Sequence, residues 1–306
     1  MTSTAAAAER RIGTLAGVAA YTLWGLFPLV FHQLRSVGAV EVLMHRVIWS
    51  FVVVMVLLRL RGDRRWYEEV RQRPNGLSRL TAAGLLIATN WLVYIWAVNH
   101  DHVLEAALGY YINPLITVAL GVVVLGEQLR RMQLVALGFA ATAVLVLTVA
   151  FGRVPWIALV LACTFAAYGY LKKAVSVRAT AALAVETAVL LPAALVGMAV
   201  LLARGGTAIG QGSGGRDALL VSLGVVTAVP LLLFGTAASR IPLSLLGLLQ
   251  YLTPTMQLIF GVAVFHEDLP PERLVGFVLV WIALILLGVD AVRHARRTPL
   301  PLPELA

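Results

Sequence analysis

The stretch LMHRVIWSF, residues 43–51, sets His45 beside Arg46 in a mostly apolar run from Val37 to Leu58. At a rise of about 1.5 Å per residue, Arg46 lies about 13 Å inside the edge of a helix that begins at residue 37. Snorkelling shortens that depth without erasing it. A charge so deep in hydrocarbon costs several kcal/mol unless it is paired or hydrated, so Arg46 is either half of a structural ion pair or a contact for substrate or gating. Glu186 lies about 10 Å from the inner edge of its own apolar run and aligns with His45 at an offset of 141 residues. Arg46 keeps its charge, whereas His45 and Glu186 change protonation near neutral pH when their surroundings shift them. They are the candidates for proton coupling.

Uncharged polar residues form stripes in other apolar runs. Tyr21, Trp24, Gly25 and Pro28 share one helix face; Gly109, Asn113 and Thr117 recur every four residues, with Tyr110, Tyr111 and Pro114 beside them; Gln250, Thr253 and Gln257 make a matching stripe. Amides and hydroxyls in such places are satisfied by a neighbouring helix or by a hydrated cavity, so the stripes read either as interhelical glue or as the walls of a shared site. Trp24, Arg46, Tyr94, Tyr111, Asn113, Tyr168, Gln250 and Tyr251 are the residues expected near a substrate. Pro28, Pro114 and Pro254 each remove a backbone donor and are expected to kink their helices. Glu127 and Glu267 end their runs in LGEQL and FHEDL, where capping the following helix is a simpler role than transport chemistry.

Other chemistries find little footing. Gly210, Gly212 and Gly215 spell G-x-G-x-x-G, but with no βαβ unit around them they read as a flexible linker. The only lysines are Lys172 and Lys173, so a Walker A loop, and with it an intrinsic ATPase, is excluded. His100, Asp101, His102 and Glu105 in NHDHVLE read as solvated residues of an exposed turn, and no metal or cofactor is implied. No Ser/His/Asp set is legible, which argues against an enzyme. Cys163 has no partner for an internal disulfide and reads as a packing residue.

The elements that must position these residues are set by composition. Of 306 residues, 60% are hydrophobic and only 13% charged, which marks an all-α integral membrane protein. Spans are expected at 12–32, 37–58, 80–99, 103–126, 132–151, 155–172, 179–203, 217–238, 242–265 and 273–291. No leader is expected, because Arg10 and Arg11 run straight into a full-length span. With the N-terminus inside, 18 of the 24 Lys and Arg fall on cytoplasmic segments, so both termini are expected in the cytoplasm. The net charge of +9 then reflects topology and lipid headgroups rather than nucleic acid. The loop carrying Trp66, Tyr67 and Val70 is expected to lie on those headgroups.

LGYYINPLITVALGVVVLGEQL at 108–129 and LLQYLTPTMQLIFGVAVFHEDL at 248–269 align without gaps at an offset of 140, with Tyr111 on Tyr251, Pro114 on Pro254 and Glu127 on Glu267; Gly84 falls on Gly224. The repeat unit is five helices, residues 1–151 and 152–306. An odd number inverts the second copy in the membrane. Inverted repeats that rock about a central site are a signature of secondary transporters.

AAYTLWGLFPLVF, VEVLMHRVIWSF and the two Pro-x(12)-Glu segments resemble the EamA group of the drug/metabolite transporter superfamily, and within it the RarD branch. The resemblance implies a ten-helix permease of the bacterial inner membrane whose central cavity is lined mainly by the first, third, fourth, sixth, eighth and ninth spans. The branch carries a chloramphenicol-sensitivity label, which names a phenotype more than a substrate. By resemblance Arg46 is the arginine of the second span, and Glu127 and Glu267 are the span-end glutamates; Glu186-Thr187 stands where His45-Arg46 would repeat. The expectation is a secondary exporter of small amphipathic metabolites or drugs, with a small-molecule substrate and membrane lipids as partners. A homodimer is compatible with the sequence. A passive channel and a lipid-acting enzyme are the rivals.

Overall fold

The computed structural model describes residues 3–34, 36–99, 103–151, 155–211 and 214–264, and 274–275, 278–279, 281–283, 285–286 and 289–290 beyond them. Every regular element among the described residues is a helix: α1 (Ser3–Gly25), α2 (Phe27–Gln33), α3 (Ala39–Leu60), α4 (Trp66–Arg71), α5 (Gly76–Asn99), α6 (Val103–Val123), α7 (Arg131–Phe151), α8 (Trp156–Val175), α9 (Ala179–Ala203), α10 (Gly214–Arg240), α11 (Leu243–Leu249) and α12 (Leu252–Ala263). Among the described residues, five stretches are long and apolar enough to cross a membrane: Ala7–Phe31, Ala39–Leu60, Trp156–Val175, Ala179–Ala203 and Gly214–Arg240. Leu108–Val123 and Arg131–Val146 are shorter apolar helices. The expected tenth span, 273–291, is described only in part, and Glu267 lies outside the described residues. Large apolar side chains such as Val52, Val56, Leu145, Val149, Val196 and Leu202 face outward, as lipid-facing surfaces do and water-facing ones rarely do.

The proline expectations split. Pro28 stands in the first turn of α2, and α1 stops at Gly25, with Leu26 between the two helices. Pro254 follows the interruption at Gln250 and Tyr251, where the backbone N–H groups of Gln250, Tyr251 and Thr253 reach back only three residues, as in a tightened 3₁₀ turn. Pro114 lies inside α6, which continues through it from Val103 to Val123.

α1 packs on α10, α5 and α6 on α8, and α3 on both α9 and α10. Glycine permits the closest of these crossings. A Cβ on Gly224 of α10 would lie 2.5 Å from the Trp49 carbonyl carbon and oxygen on α3, and one on Gly84 of α5 would lie 3.2 Å from the Glu186 carbonyl oxygen on α9.

The loops are more ordered than expected. Val70 is buried and Trp66 packs with it against Ala181, Val185 and Val175, so part of the supposed headgroup segment is core, although Tyr67 stays exposed. Arg178, before α9, bonds Asp63 and Glu69, and those bonds hold its guanidinium above the usual arginine range. In the supposed linker, Ala208 and Ile209 pack against Leu34, Val37 and Leu220, and the Ala208 N–H donates to Glu41 Oε1 at 2.7 Å. Cys163 is exposed on α8 rather than packed.

Candidate functional site

A cavity of about 190 Å³ opens where α1, α2, α3, α5, α6, α8, α10 and the α11–α12 junction meet. Its walls are largely aromatic, with Trp24, Phe27, Phe31, Trp91, Tyr94, Tyr110 and Phe165, and its polar groups are Arg46, Asn90, Asn113, Gln250, Thr253 and Tyr21. Arg46 is the one Arg, Lys, His, Asp or Glu among these lining residues.

The approach of α10 to α3 places Arg46. Gly224 lets the two backbones meet at Trp49, Ser50 Oγ donates to the Gly224 carbonyl at 3.4 Å, and one turn further along α10 Thr227 Oγ1 accepts from Arg46 Nε at 3.1 Å. The guanidinium carbon lies 4.2 Å from the Trp91 ring centroid, and 5.6 and 5.8 Å from those of Phe31 and Phe27. Cation–π attraction is strongest for tryptophan and grows as the pair leaves water. Among the described residues no carboxylate pairs with Arg46 and neither Nη has a protein acceptor, so the ion-pair alternative finds no partner there.

Trp91 is positioned by its neighbour. Asn90 Nδ2 donates to the Leu161 carbonyl at 2.8 Å and to Thr164 Oγ1 at 2.9 Å, pinning α5 to α8. Asn113 Nδ2 does the same for α6 with the Ala162 carbonyl at 2.7 Å. These amides serve as interhelical glue and cavity wall at once. Thr253 Oγ1 donates to the Tyr21 carbonyl at 2.8 Å beside the end of α1. The Gln250 Oε1 and Tyr21 Oη atoms are buried and have no hydrogen-bond partner among the described residues.

The structure therefore brings Trp24, Arg46, Tyr94, Asn113, Gln250 and Pro254 to one cavity. Tyr111, Tyr168 and Tyr251 are not among its lining residues. The Tyr251 hydroxyl donates to the Tyr111 carbonyl at 3.3 Å, tying the equivalent positions of the two repeated segments. Tyr168 stacks on Phe234 at 5.5 Å, and its hydroxyl donates to Glu186 Oε2 at 3.2 Å.

His45 and Glu186 stand apart from the cavity. His45 Nδ1 accepts from Trp49 Nε1 at 3.1 Å, and its Nε2 lies 3.8 Å from Glu41 Oε1. Glu186 Oε1 accepts from Lys172 Nζ at 2.9 Å, both side chains being 2% exposed. Lys172 was not singled out from sequence as a partner of Glu186, although its spacing of four from Tyr168 puts both on one face of α8. Trp91 and Asn90 were missed although Ile87, Asn90, Trp91 and Tyr94 recur at helical spacing.

Glu127 caps a helix, but not the following one: its carboxylate accepts from the Leu243 and Ser244 N–H groups at 2.7 and 2.8 Å, at the start of α11. Glu105, from the supposed metal cluster, accepts from the Ile157 N–H at 2.8 Å, at the start of α8. His100, Asp101 and His102 lie outside the described residues.

Apolar helices with outward-facing apolar surfaces, converging on an aromatic cavity with a single cation among its lining residues, define a multi-pass membrane protein with an internal cavity. Comparison with known proteins gives the class a family. Residues 11–149 match the EamA-like transporter family. The chain is 50% identical to Protein RarD of Streptomyces exfoliatus, across 95% of this chain and 92% of that one, and 40% identical to Protein RarD of Escherichia coli (strain K12), across 95% and 99%. A crystal structure of a protein 19% identical covers 91% of this chain and 98% of its own with a TM-score of 0.70, a likeness of fold alone. The chain belongs to the EamA-type membrane transporters, in their RarD branch.

Proposed function

We propose that the chain is a secondary exporter of small amphipathic molecules in the bacterial inner membrane, working by alternating access about the Arg46 cavity. In this reading ten spans form two inverted five-helix repeats, 1–151 and 152–306, with both termini cytoplasmic. The observation that carries it is the cavity's origin in both halves: Trp24, Arg46, Trp91 and Asn113 come from one, Phe165, Leu231 and Gln250 from the other. A site shared between repeats is where rocking of one half against the other switches access.

The pattern of helix packing supports the repeat. α5 lies on α8 as α10 lies on α1, and α5 meets α9 as α10 meets α3. Gly84 and Gly224, 140 residues apart, each meet the backbone of the opposite half's second span, at Glu186 and Trp49.

Proton coupling is the second part of the proposal. His45 with Glu41, and Glu186 with Lys172 and Tyr168, are two buried proton-binding clusters flanking the cavity helices. Protonating Glu186 would break its pair with Lys172 and free α8 from α9. Chloramphenicol, from the branch's label, is one probe for counterflow in proteoliposomes, beside a panel of small amphipathic compounds. Saturable counterflow that a pH gradient accelerates is expected. Equal rates with and without the gradient would sink proton coupling, and uptake without saturation or counterflow would make the protein a channel.

A further inference from the structure

We propose that the ligand of the Arg46 cavity is a small organic monoanion, a carboxylate carried on a flat apolar body. The proposal rests on reading this cavity as the substrate site. Arg46 spends its Nε on Thr227 and one face on Trp91. What remains is the Nη edge, which has no protein acceptor among the described residues. A guanidinium edge presents two parallel N–H groups that match a planar carboxylate, a fit that an ammonium does not offer. A desolvated cation with no carboxylate beside it is stabilised by an incoming anion and repels an incoming cation. One positive charge among the lining residues balances one negative charge, so a dianion would bring a second, unbalanced charge into the bilayer.

The remaining walls describe the rest of the ligand. Trp24, Phe27 and Phe165 line the cavity with aromatic rings, which favour a flat hydrocarbon or aromatic body. The volume of about 190 Å³ is smaller than the roughly 300–1,000 Å³ of sites for drug-sized ligands. A single ring with a short acidic chain suits that space.

Three probes of one shape test this: 3-phenylpropionate, 3-phenylpropanamide and 3-phenylpropylamine, bound to the full chain in phosphatidylcholine nanodiscs, where no anionic lipid competes. Wild-type protein should bind the acid at least tenfold more tightly than the amide, the scale of one charge-assisted bidentate contact, and the amine more weakly still. In Arg46→Gln the acid should lose its advantage over the amide, and Arg46→Lys should recover only part of that advantage. Equal binding of acid and amide by wild type, no binding of any probe, or a persisting preference in a folded Arg46→Gln would each overturn the proposal. The wild-type comparison decides by itself if the variant does not fold. Equal binding of acid and amide together with intact counterflow would overturn the anion and keep the carrier. Acid-selective binding with no counterflow of any probe would do the reverse.

Discussion

Glu186 and Arg46 are both ionisable groups well inside apolar helices, and their surroundings differ in kind. Glu186 has Lys172 at 2.9 Å and the Tyr168 hydroxyl at 3.2 Å, all three buried, whereas Arg46 has one hydroxyl, an indole face and a cavity. Removing one member of a buried pair strands the other, so Lys172→Met should cost about 3–5 kcal/mol, and Lys172→Met with Glu186→Leu should recover most of it. Thermal unfolding in detergent measures both, and losses that simply add would show that the pair is not coupled. The depth of Arg46 and of Glu186 was legible from spacing along their runs, and so was the difficulty each poses. Their partners were not, because Thr227 lies 181 residues from Arg46, a distance over which helix periodicity carries no information. The pairing of Lys172 was hidden for a related reason: two adjacent lysines at a span end look like a cytoplasmic anchor, and only the packing of α9 gives one of them a buried partner.

Helices were legible to within a few residues wherever one apolar run makes one helix, as with α9 at Ala179–Ala203. They were less so where a run breaks, at Leu26 and at Gln250–Tyr251, since the same proline that ends one helix sits inside α6 without interrupting it. Glu127 shows why caps were only half read. The residue type announces a helix N-terminus, but the one it caps, α11, is brought to it by the fold from 116 residues away. Glycine contacts are the corresponding hidden feature of helix crossings. Gly224→Ala, which forces a methyl group against the Trp49 backbone, should destabilise by about 1–3 kcal/mol. Gly138→Ala on α7, where nothing lies within 4 Å of the added atom, should be neutral or stabilising by up to about 1 kcal/mol. Equal melting temperatures for the two variants would mean that the α3–α10 crossing has slack which the structure does not show.

For the whole molecule, composition was enough to place the chain in the bilayer, and self-similarity at an offset of 140 residues was enough to suggest two halves about one site. The identity of the wall was not, since aromatic residues such as Trp91 and Phe165 are ordinary in any apolar helix and become a site only where eight helical segments converge. Alternating access requires that this cavity face each side of the membrane in turn. Ile87 and Leu231, one from each half, line it and are 3% exposed; Cys163 is exposed and the sole native cysteine, so Cys163→Ser supplies the background for Ile87→Cys and Leu231→Cys. A membrane-impermeant thiol reagent is then applied to right-side-out and to inside-out vesicles. Modification of both positions from either face is the expected result, and modification from one face alone at both positions would contradict alternating access through the Arg46 cavity.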